Sequence, residues 1–312
     1  MKKLTTICAT IALCFSAGVA NAANFTVTSL GDTDSPSCGA TCTLRQAINA
    51  ANASVGADTI TFNLSGTITL GSVLPLITDA LTINGTGRTI TISGGGTVQV
   101  LQVNSATNLA LNSLTIANGR STAAFTAGGV TVVRPTVVAG LATLTITNCV
   151  FSGNSTVGGF AAGAILLNSG AALTVTNSSF NGNSGQSLSG EPTVGAIVGY
   201  SSGSMTITNS TFENNSGSTG AVRTSSETLV VSGSTFAGNS STNVFGGAID
   251  FNGATGARAT ITNSTFYANS ANLQGGAIYS SHGIYTNNPL VVTNSTFSGN
   301  VNGAFSGIVQ LG

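Results

Sequence analysis

The sequence predicts an all-β protein folded as a right-handed parallel β-helix, with one short capping helix near its amino end. Three observations support this prediction: a recurring Phe-x-x-Asn tetrapeptide, a strand of alternating pattern before each copy, and a Gly-Ala-apolar element earlier in each repeat. The repeats are 24 to 32 residues long. That length suits one coil of two or three short strands and is too short for a domain.

The Phe-x-x-Asn tetrapeptide defines the length of each repeat. Its copies are Phe151/Asn154, Phe180/Asn183, Phe212/Asn215, Phe236/Asn239, Phe266/Asn269 and Phe297/Asn300. Successive phenylalanines are 29, 32, 24, 30 and 31 residues apart. Stacked coils would place these rings in one column. We expect each Asn at a turn, where it tolerates left-handed backbone and can form a ladder with its neighbours.

The strand before each tetrapeptide alternates apolar and polar residues, as in Leu144-Thr-Ile-Thr and Leu173-Thr-Val-Thr. A period of two turns one face inward and the other outward. One coil cannot bury its apolar face alone, so neighbouring coils must stack. Helical repeats are disfavoured because β-branched residues dominate, and propeller blades of ~40 residues do not fit the spacing.

The amino end has the pattern of an export signal, predicted over residues 1–23. Lys2 and Lys3 supply the positive start, and an apolar run from Ile7 to Phe15 follows. Val19-Ala-Asn-Ala22 matches a cleavage site, so we expect cutting after Ala22 or Ala23. The apolar run is too short for a membrane anchor. The sequence therefore predicts a secreted or extracellular protein.

Removal of this leader also removes both lysines, and leaves six arginines against eight acidic residues, a net charge of −2. Nucleic-acid binding depends on clustered cations, which this composition does not supply, so no nucleic-acid partner is predicted. The mean hydropathy of +0.37 and the periodic apolar residues argue against disorder. The mature chain has the composition of a protein with a buried core.

Residues 24–58 are predicted to cap the repeats of residues 59–312. Thr43-Leu-Arg-Gln46 fits a capping box, and Leu44, Ala47, Ile48 and Ala51 would lie on one helical face. A helix here would cover the unpaired edge of the first coil. At the other end, Gly303-Ala-Phe begins a further element. Two alternatives follow: either the chain is incomplete here, or another chain or segment covers that last edge.

Three cysteines follow the leader. Cys38 and Cys42 bracket a tight loop that favours a disulfide in an oxidising compartment. Zinc is the alternative, but His282 is the chain's sole histidine and there is no second Cys pair. Cys149 is interpreted as a packed thiol. No metal or cofactor is predicted.

Cys42-Thr-Leu-Arg-Gln-Ala-Ile, followed by Asp58-Thr-Ile-Thr-Phe, resembles the CSLREA motif at the start of many exported bacterial β-helix proteins, with Gln46 in place of Glu and Thr43 in place of Ser. The Gly-Gly-Ala-Ile and Phe-x-x-Asn elements resemble the repeats of chlamydial polymorphic outer membrane proteins. The resemblance implies a pectin lyase-like solenoid and an adhesin-like passenger that is secreted or exposed at the outer-membrane surface of a bacterium. It implies no catalytic residue.

Many β-helices are polysaccharide lyases or hydrolases, which need paired carboxylates or acids that hold calcium. Most acids of this chain share no column in the repeat alignment. Asp250 aligns with Arg223 one coil earlier and Tyr279 one coil later, on the outward face of the Gly-Ala-apolar strand. A surface ion pair is the favoured interpretation. If a catalytic site exists, these three residues are its candidates.

Gly199-Tyr-Ser-Ser-Gly203 matches a nucleophile-elbow pattern by chance.

Outward threonines form a further pattern. The pairs are Thr145/Thr147, Thr174/Thr176, Thr206/Thr208 and Thr260/Thr262. Such an array favours ice binding as a third hypothesis, although Thr is also common on exposed strands.

The main prediction is adhesin-like attachment without catalysis, with a polysaccharide or a host or cell-surface ligand as partner. The alternative is a carbohydrate-active enzyme on the same fold.

Overall fold

The computed structural model describes residues 22–35, 37–133, 141–168, 170–188, 190–200, 203–226, 228–243, 245–253, 256–280, 290–303 and 309–311. Within these ranges the chain is a parallel β-helix, and the predicted fold class is confirmed. No helix in these ranges is long and apolar enough to cross a membrane. Residues 1–21 of the predicted leader and His282 lie outside the described residues.

The coils build four parallel sheets, here named A to D. Sheet A comprises Asn24–Val27, Asp58–Phe62, Leu81–Asn84, Leu109–Asn112, Thr143–Thr147, Ala172–Thr176, Ser204–Thr208, Thr228–Ser232, Arg258–Thr262 and Leu290–Thr293. Sheet B comprises Gly66–Thr69, Ile90–Ser93, Thr115–Ala117, Val150–Ser152, Ser179–Asn181, Thr211–Glu213, Thr235–Ala237, Thr265–Tyr267 and Thr296–Ser298. Sheet C comprises Leu101–Val103, Val130–Val132, Ile165–Leu167, Ile197–Gly199, Val222–Thr224, Ile249–Phe251, Ile278–Ser280 and Val309–Leu311. Sheet D comprises Arg120–Ser121, Ser155–Val157, Ser184–Gln186, Ser216–Gly217, Ser240–Ser241, Ser270–Ala271 and Val301–Asn302.

The coil that begins at Thr143 shows the path that the coils follow from the strand Leu109–Asn112 onward. The chain runs along Thr143–Thr147 in sheet A, Val150–Ser152 in sheet B and Ser155–Val157 in sheet D. It then crosses to Ile165–Leu167 in sheet C and returns to sheet A at Ala172–Thr176. In two coils the segment from sheet D to sheet C adds a short strand, at Ala161–Ala162 and Thr193–Val194, and these two strands pair with each other.

The interior is made of columns that take one residue from each coil. In sheet A, Leu144 pairs in register with Leu173, which pairs with Met205, as the repeat alignment predicts. In sheet B the phenylalanine rings stack, with neighbouring centroids 4.6–5.0 Å apart and ring planes within 5°. The rings from Phe151 to Phe266 are fully buried. Since stacked aromatic pairs stabilise beyond their buried area, this column helps to fix the coil spacing.

The asparagines of the repeat form a buried ladder. The side-chain Nδ2 of Asn183 donates to the Oδ1 of Asn215 in the next coil, at 2.9 Å, and to the carbonyl oxygen of Phe151 in the previous coil, at 3.0 Å. The backbone N–H of Asn183 also donates to the Oδ1 of Asn215. The same bonds recur at each step from Asn154 to Asn300. The ladder therefore satisfies both protons and the oxygen of each amide at its interior positions.

The structure corrects the backbone geometry predicted for these asparagines. The sequence predicts left-handed backbone at each of them, but the left-handed residue is the one before, as at Gly153, Gly182 and Asn214. A second left-handed position lies between sheets A and B, at Asn148 and Asn177 for example. The ladder asparagines themselves are absent from the left-handed region. That expectation was wrong by one residue.

Burial is the physical reason for this correction. Asn269, which the sequence places at a turn with left-handed backbone, is fully buried, and its Nδ2 donates to the Oδ1 of Asn300 and to the carbonyl oxygen of Phe236. The fully buried members of the ladder are Asn154, Asn183, Asn215, Asn239 and Asn269. Each takes the inward position of the turn because its amide serves the neighbouring coils, so the outward, left-handed position falls to the preceding residue.

The helix Leu44–Ala53 covers the amino end. Thr43 and Gln46 form the capping box, and the apolar face predicted from the sequence is buried. Arg45 is buried as well: its guanidinium binds both carboxylate oxygens of Asp32 at 2.9 Å. It also donates to the carbonyl oxygens of Ser72 and Val73. This arginine therefore fastens the helix to the following coils, a role that the sequence did not reveal.

The cysteines take two different roles. Cys38 and Cys42 are joined by a disulfide beside the cap. Cys149 is a buried free thiol, and burial raises its pKa to about 11. It occupies the first position of a second ladder, in which a backbone N–H donates to the side-chain oxygen of the next coil's serine, as Cys149 does to Ser178 and Ser178 to Ser210. Its place is therefore structural.

We predict that Asn215→Ala lowers the free energy of unfolding by about 3 kcal/mol or more, because it removes this partner from several buried polar groups of the two adjacent coils. The midpoint of urea denaturation measures this loss. Asn181→Ala is the matched control, since Asn181 is exposed on sheet B and should change stability by less than about 0.5 kcal/mol. Equal effects of the two substitutions would contradict the ladder's role.

We predict that Ala268→Gly stabilises the protein by about 1 kcal/mol, since a non-glycine residue is strained in the left-handed region. Ala268 has φ +51°, and the equivalent residues Gly153, Gly182 and Gly238 have φ near +61°. The thermal midpoint checks the gain. Ala237→Gly, in the preceding coil's strand on sheet B, should lower it instead. A loss of stability in both variants would refute the explanation.

Candidate functional site

The sequence-predicted residues Arg223, Asp250 and Tyr279 lie in one column on the outward side of sheet C. Arg223 pairs in register with Asp250, and Asp250 with Tyr279. The Nε of Arg223 lies 3.4 Å from the Oδ2 of Asp250. Each strand contributes one residue, so the backbone ladder fixes the order of cation, anion and phenol.

This column is not the open surface that the sequence suggested. Asp250 is 3% exposed, and the outward side chains earlier in the column, Leu166 and Val198, are fully buried. The segments that lead from sheet D to sheet C lie over this face of the sheet. Ala127, Ala162 and Val194 from these segments pack on Leu166 and Val198 in a second apolar cluster. The predicted ion pair of Arg223 and Asp250 is therefore present, but the prediction that it lies on the open surface is wrong, because its carboxylate is buried.

Aromatic side chains lie beside this column. The ring of Phe245 stacks on Tyr279, with centroids 4.2 Å apart. Tyr200, which follows the strand of Val198, makes edge-to-face contacts with Phe125 and Phe160, at 6.3 and 6.0 Å. We call Tyr200, Arg223, Phe245, Asp250 and Tyr279 the sheet C cluster. It combines two phenols, one stacked ring pair and one ion pair.

Burial controls the electrostatics of the cluster. It raises the pKa of Asp250 to about 6, against the opposing effect of Arg223. It also raises the pKa of Tyr200 to about 12, and the charges of Arg223, Asp250 and Glu191 act on the same phenol. The pKa of Tyr279 is raised by burial and then by Asp250. Both phenols therefore stay protonated at neutral pH, as hydrogen-bond donors and acceptors.

One polar atom of the cluster stands out. The Oη of Tyr200 is buried, and it has no hydrogen-bond partner within the described part of the chain. A buried hydroxyl without a partner costs free energy, so such a group is a natural contact for a bound molecule or water. Across the described ranges, no three His, Cys, Asp or Glu side chains gather as metal ligands would.

Two cluster residues were missed by the sequence analysis. Tyr200 follows the strand Ile197–Gly199 directly and continues its outward alternation, which a longer alignment of that strand would have shown. Phe245 directly precedes the recurring Gly-Gly-Ala-Ile element, at a position where the other coils have no common residue type, such as Gln274 in the next coil. Ser201 and Ser202 of the nucleophile-elbow pattern lie outside the described residues, as does Glu227.

Comparisons with known proteins add little to this geometry. No family model and no curated protein matches the chain. Among solved structures, Jun a 1, the major allergen from cedar pollen, is similar over 91% of this chain and 80% of its own, with 15% identity and a TM-score of 0.38. A likeness at that level carries no argument about activity or ligand. The assignment rests on the chain's own coils, which define it as a parallel β-helix protein.

We predict that Asp250→Asn makes the protein more stable at pH 8 and leaves its stability at pH 4 nearly unchanged. A raised carboxyl pKa means that folding favours the protonated form, so wild-type stability falls as pH rises from about 4 to about 6. The difference at pH 8 should reach roughly 3 kcal/mol. Urea denaturation at both pH values measures it. A variant that is less stable at pH 8 would show that the Arg223 pair outweighs burial.

Proposed function

We propose that the chain is an exported, adhesin-like β-helix protein that recognises a surface ligand, a polysaccharide or a host-matrix component, without catalysis. The observation that carries the proposal is the sheet C cluster. Aromatic rings, a half-buried guanidinium and protonated phenols meet there on strands that the coil stacking holds rigid. Binding sites typically combine aromatic contact area with a few fixed polar groups in this way.

The leader pattern and the resemblance of residues 42–62 to the CSLREA motif support export to the bacterial surface. The low charge of the mature chain supports neutral or weakly charged ligands over nucleic acids.

The alternative, a carbohydrate-active enzyme, is supported by the Asp250 pKa of about 6, because a general acid or base works best near neutral pH. Hydrolysis of glycosides needs a second carboxylate as well. The charged group that acts on Asp250 is the guanidinium of Arg223, and not a second carboxylate.

The purified mature chain should bind at least one member of a polysaccharide and host-matrix panel saturably and release no sugar product. Tyr279→Ala should weaken that binding at least tenfold, about 1.4 kcal/mol, because it removes the stacked ring pair. Tyr267→Ala is the matched control, since Tyr267 is 56% exposed on sheet B, away from the cluster. Its affinity should equal that of the wild type.

Three results would contradict the proposal. Turnover with release of reducing ends or unsaturated sugars would establish the enzyme instead, and loss of turnover in Asp250→Asn would then identify its acid or base. Equal affinity of Tyr279→Ala and the wild type would move recognition away from the cluster. Absence of binding to every panel member would refute recognition itself.

A second candidate, ice binding, is favoured by one observation on sheet A. Its outward columns add the pair Thr59/Thr61 to the four predicted threonine pairs and are interrupted at Ala110, Val230 and Val291. The first column is Asn24, Thr59, Thr82, Ala110, Thr145, Thr174, Thr206, Val230, Thr260 and Val291, and the second is Thr26, Thr61, Asn84, Asn112, Thr147, Thr176, Thr208, Ser232, Thr262 and Thr293. Neither column carries a charge. Hydroxyls repeat about every 4.8 Å across strands, a regular array that could order water.

For this candidate we expect thermal hysteresis and inhibition of ice recrystallisation in the wild type. Thr206→Tyr should abolish both, because the ring projects from the middle of the array. Thr235→Tyr is the control, since Thr235 lies on the outward side of sheet B. A wild type with neither activity would eliminate the candidate.

A further inference from the structure

We propose that a second surface, a groove beside the shortest coil, binds a neutral polyhydroxylated chain. This inference rests on the proposed recognition function and names its ligand class. The groove is lined by Gly185, Gln186, Ser187, Gly190, Ser218, Thr242 and Asn243, and its volume is about 410 Å³. That volume lies within the usual range of ligand sites.

The groove arises from the uneven lengths of three successive segments between sheets D and C. In the 24-residue coil, residues 218–221 alone join the strand Ser216–Gly217 to Val222–Thr224. The coil before uses residues 187–196 for this step, and the coil after uses residues 242–248. Two long segments therefore stand on either side of a short one, with Ser218 between them. The shortest spacing in the repeat, from Phe212 to Phe236, marks the place.

The lining is polar and uncharged. Gln186 and Asn243 are exposed, so their side-chain amides are accessible to a ligand. The Oγ of Ser187 is buried and has no hydrogen-bond partner within the described residues. Thr242 donates its hydroxyl proton to the carbonyl oxygen of Gly217 at 2.9 Å, so its oxygen is left to accept. The groove thus offers amide donors and acceptors together with hydroxyl oxygens.

These groups match the hydroxyls of a neutral sugar chain. A charged ligand would leave its charge without a partner in this groove, which costs free energy. An extended peptide fits less well, because it needs apolar pockets or a free strand edge. The sheet D strands beside the groove already pair with a neighbour on each side. Ser218 and Arg223 belong to the same short coil, so a long chain in the groove can extend toward the sheet C cluster.

The test uses the full mature chain and isothermal titration with defined probes: cello-, xylo-, manno- and laminarihexaose, with polygalacturonate as the charged comparison. The double variant Gln186→Ala/Asn243→Ala should bind the preferred neutral oligosaccharide at least tenfold more weakly than the wild type. Asn181→Ala removes an exposed amide from sheet B in the same coil as Gln186 and should bind as the wild type does. Circular dichroism and the urea midpoint verify that each variant folds.

The outcomes separate the two proposals. If an oligosaccharide binds and the double variant binds it equally well, the groove is not the site, and a loss in Tyr279→Ala would still support recognition at the cluster. Binding of polygalacturonate alone would overturn the neutral class. If no probe of this set or of the surface panel binds, recognition itself fails, and the groove proposal fails with it.

Discussion

The asparagine ladder is the constraint on which the rest of the structure depends. Each interior amide bonds to the coil before it and to the coil after it, so one side chain fixes three coils relative to one another. A shift of one residue in any coil would turn the buried amide outward and leave its partners unsatisfied. The ladder therefore allows a single register. The stacked phenylalanines three residues earlier add the apolar part of the same restraint.

That register also positions the residues of the sheet C cluster. Because coils stack residue on residue, Arg223, Asp250 and Tyr279 come from strands 27 and 29 residues apart in sequence and still lie side by side. The scaffold also permits variation where it is not restrained. Segments between sheets D and C differ in length from coil to coil. As a result they bury Val198, bury Arg223 in part and leave the groove at Ser218 open. Rigid columns carry the fold, and the variable segments shape its surfaces.

The repeat made the coils predictable from the sequence, including the inward columns and the alignment of Asp250 with its two neighbours. Periodicity carries that information, since one strand's alternation repeats in the next. The burial of Asp250 was not predictable, because it depends on a covering layer whose segments differ in length and in sequence ahead of the Gly-Ala element. Phe245 was missed for the same reason. The sequence analysis placed the left-handed backbone one residue late, for example at Asn269 instead of Ala268. The true left-handed position is hard to recognise because Gly, Asn and Ala all occupy it, whereas the recurrent Asn forms the ladder.

The most direct test of this account is native-state hydrogen exchange of the mature chain, followed by mass spectrometry. The backbone N–H groups of Asn183, Asn215 and Asn239 donate to buried side-chain oxygens of the next coil. We predict that peptides with these residues exchange as slowly as the slowest sheet A peptides, and that the surface segments at residues 122–124 and 187–188 exchange much faster. Fast exchange at the ladder asparagines, at the rate of those surface segments, would contradict the claim that the ladder holds the coils in register.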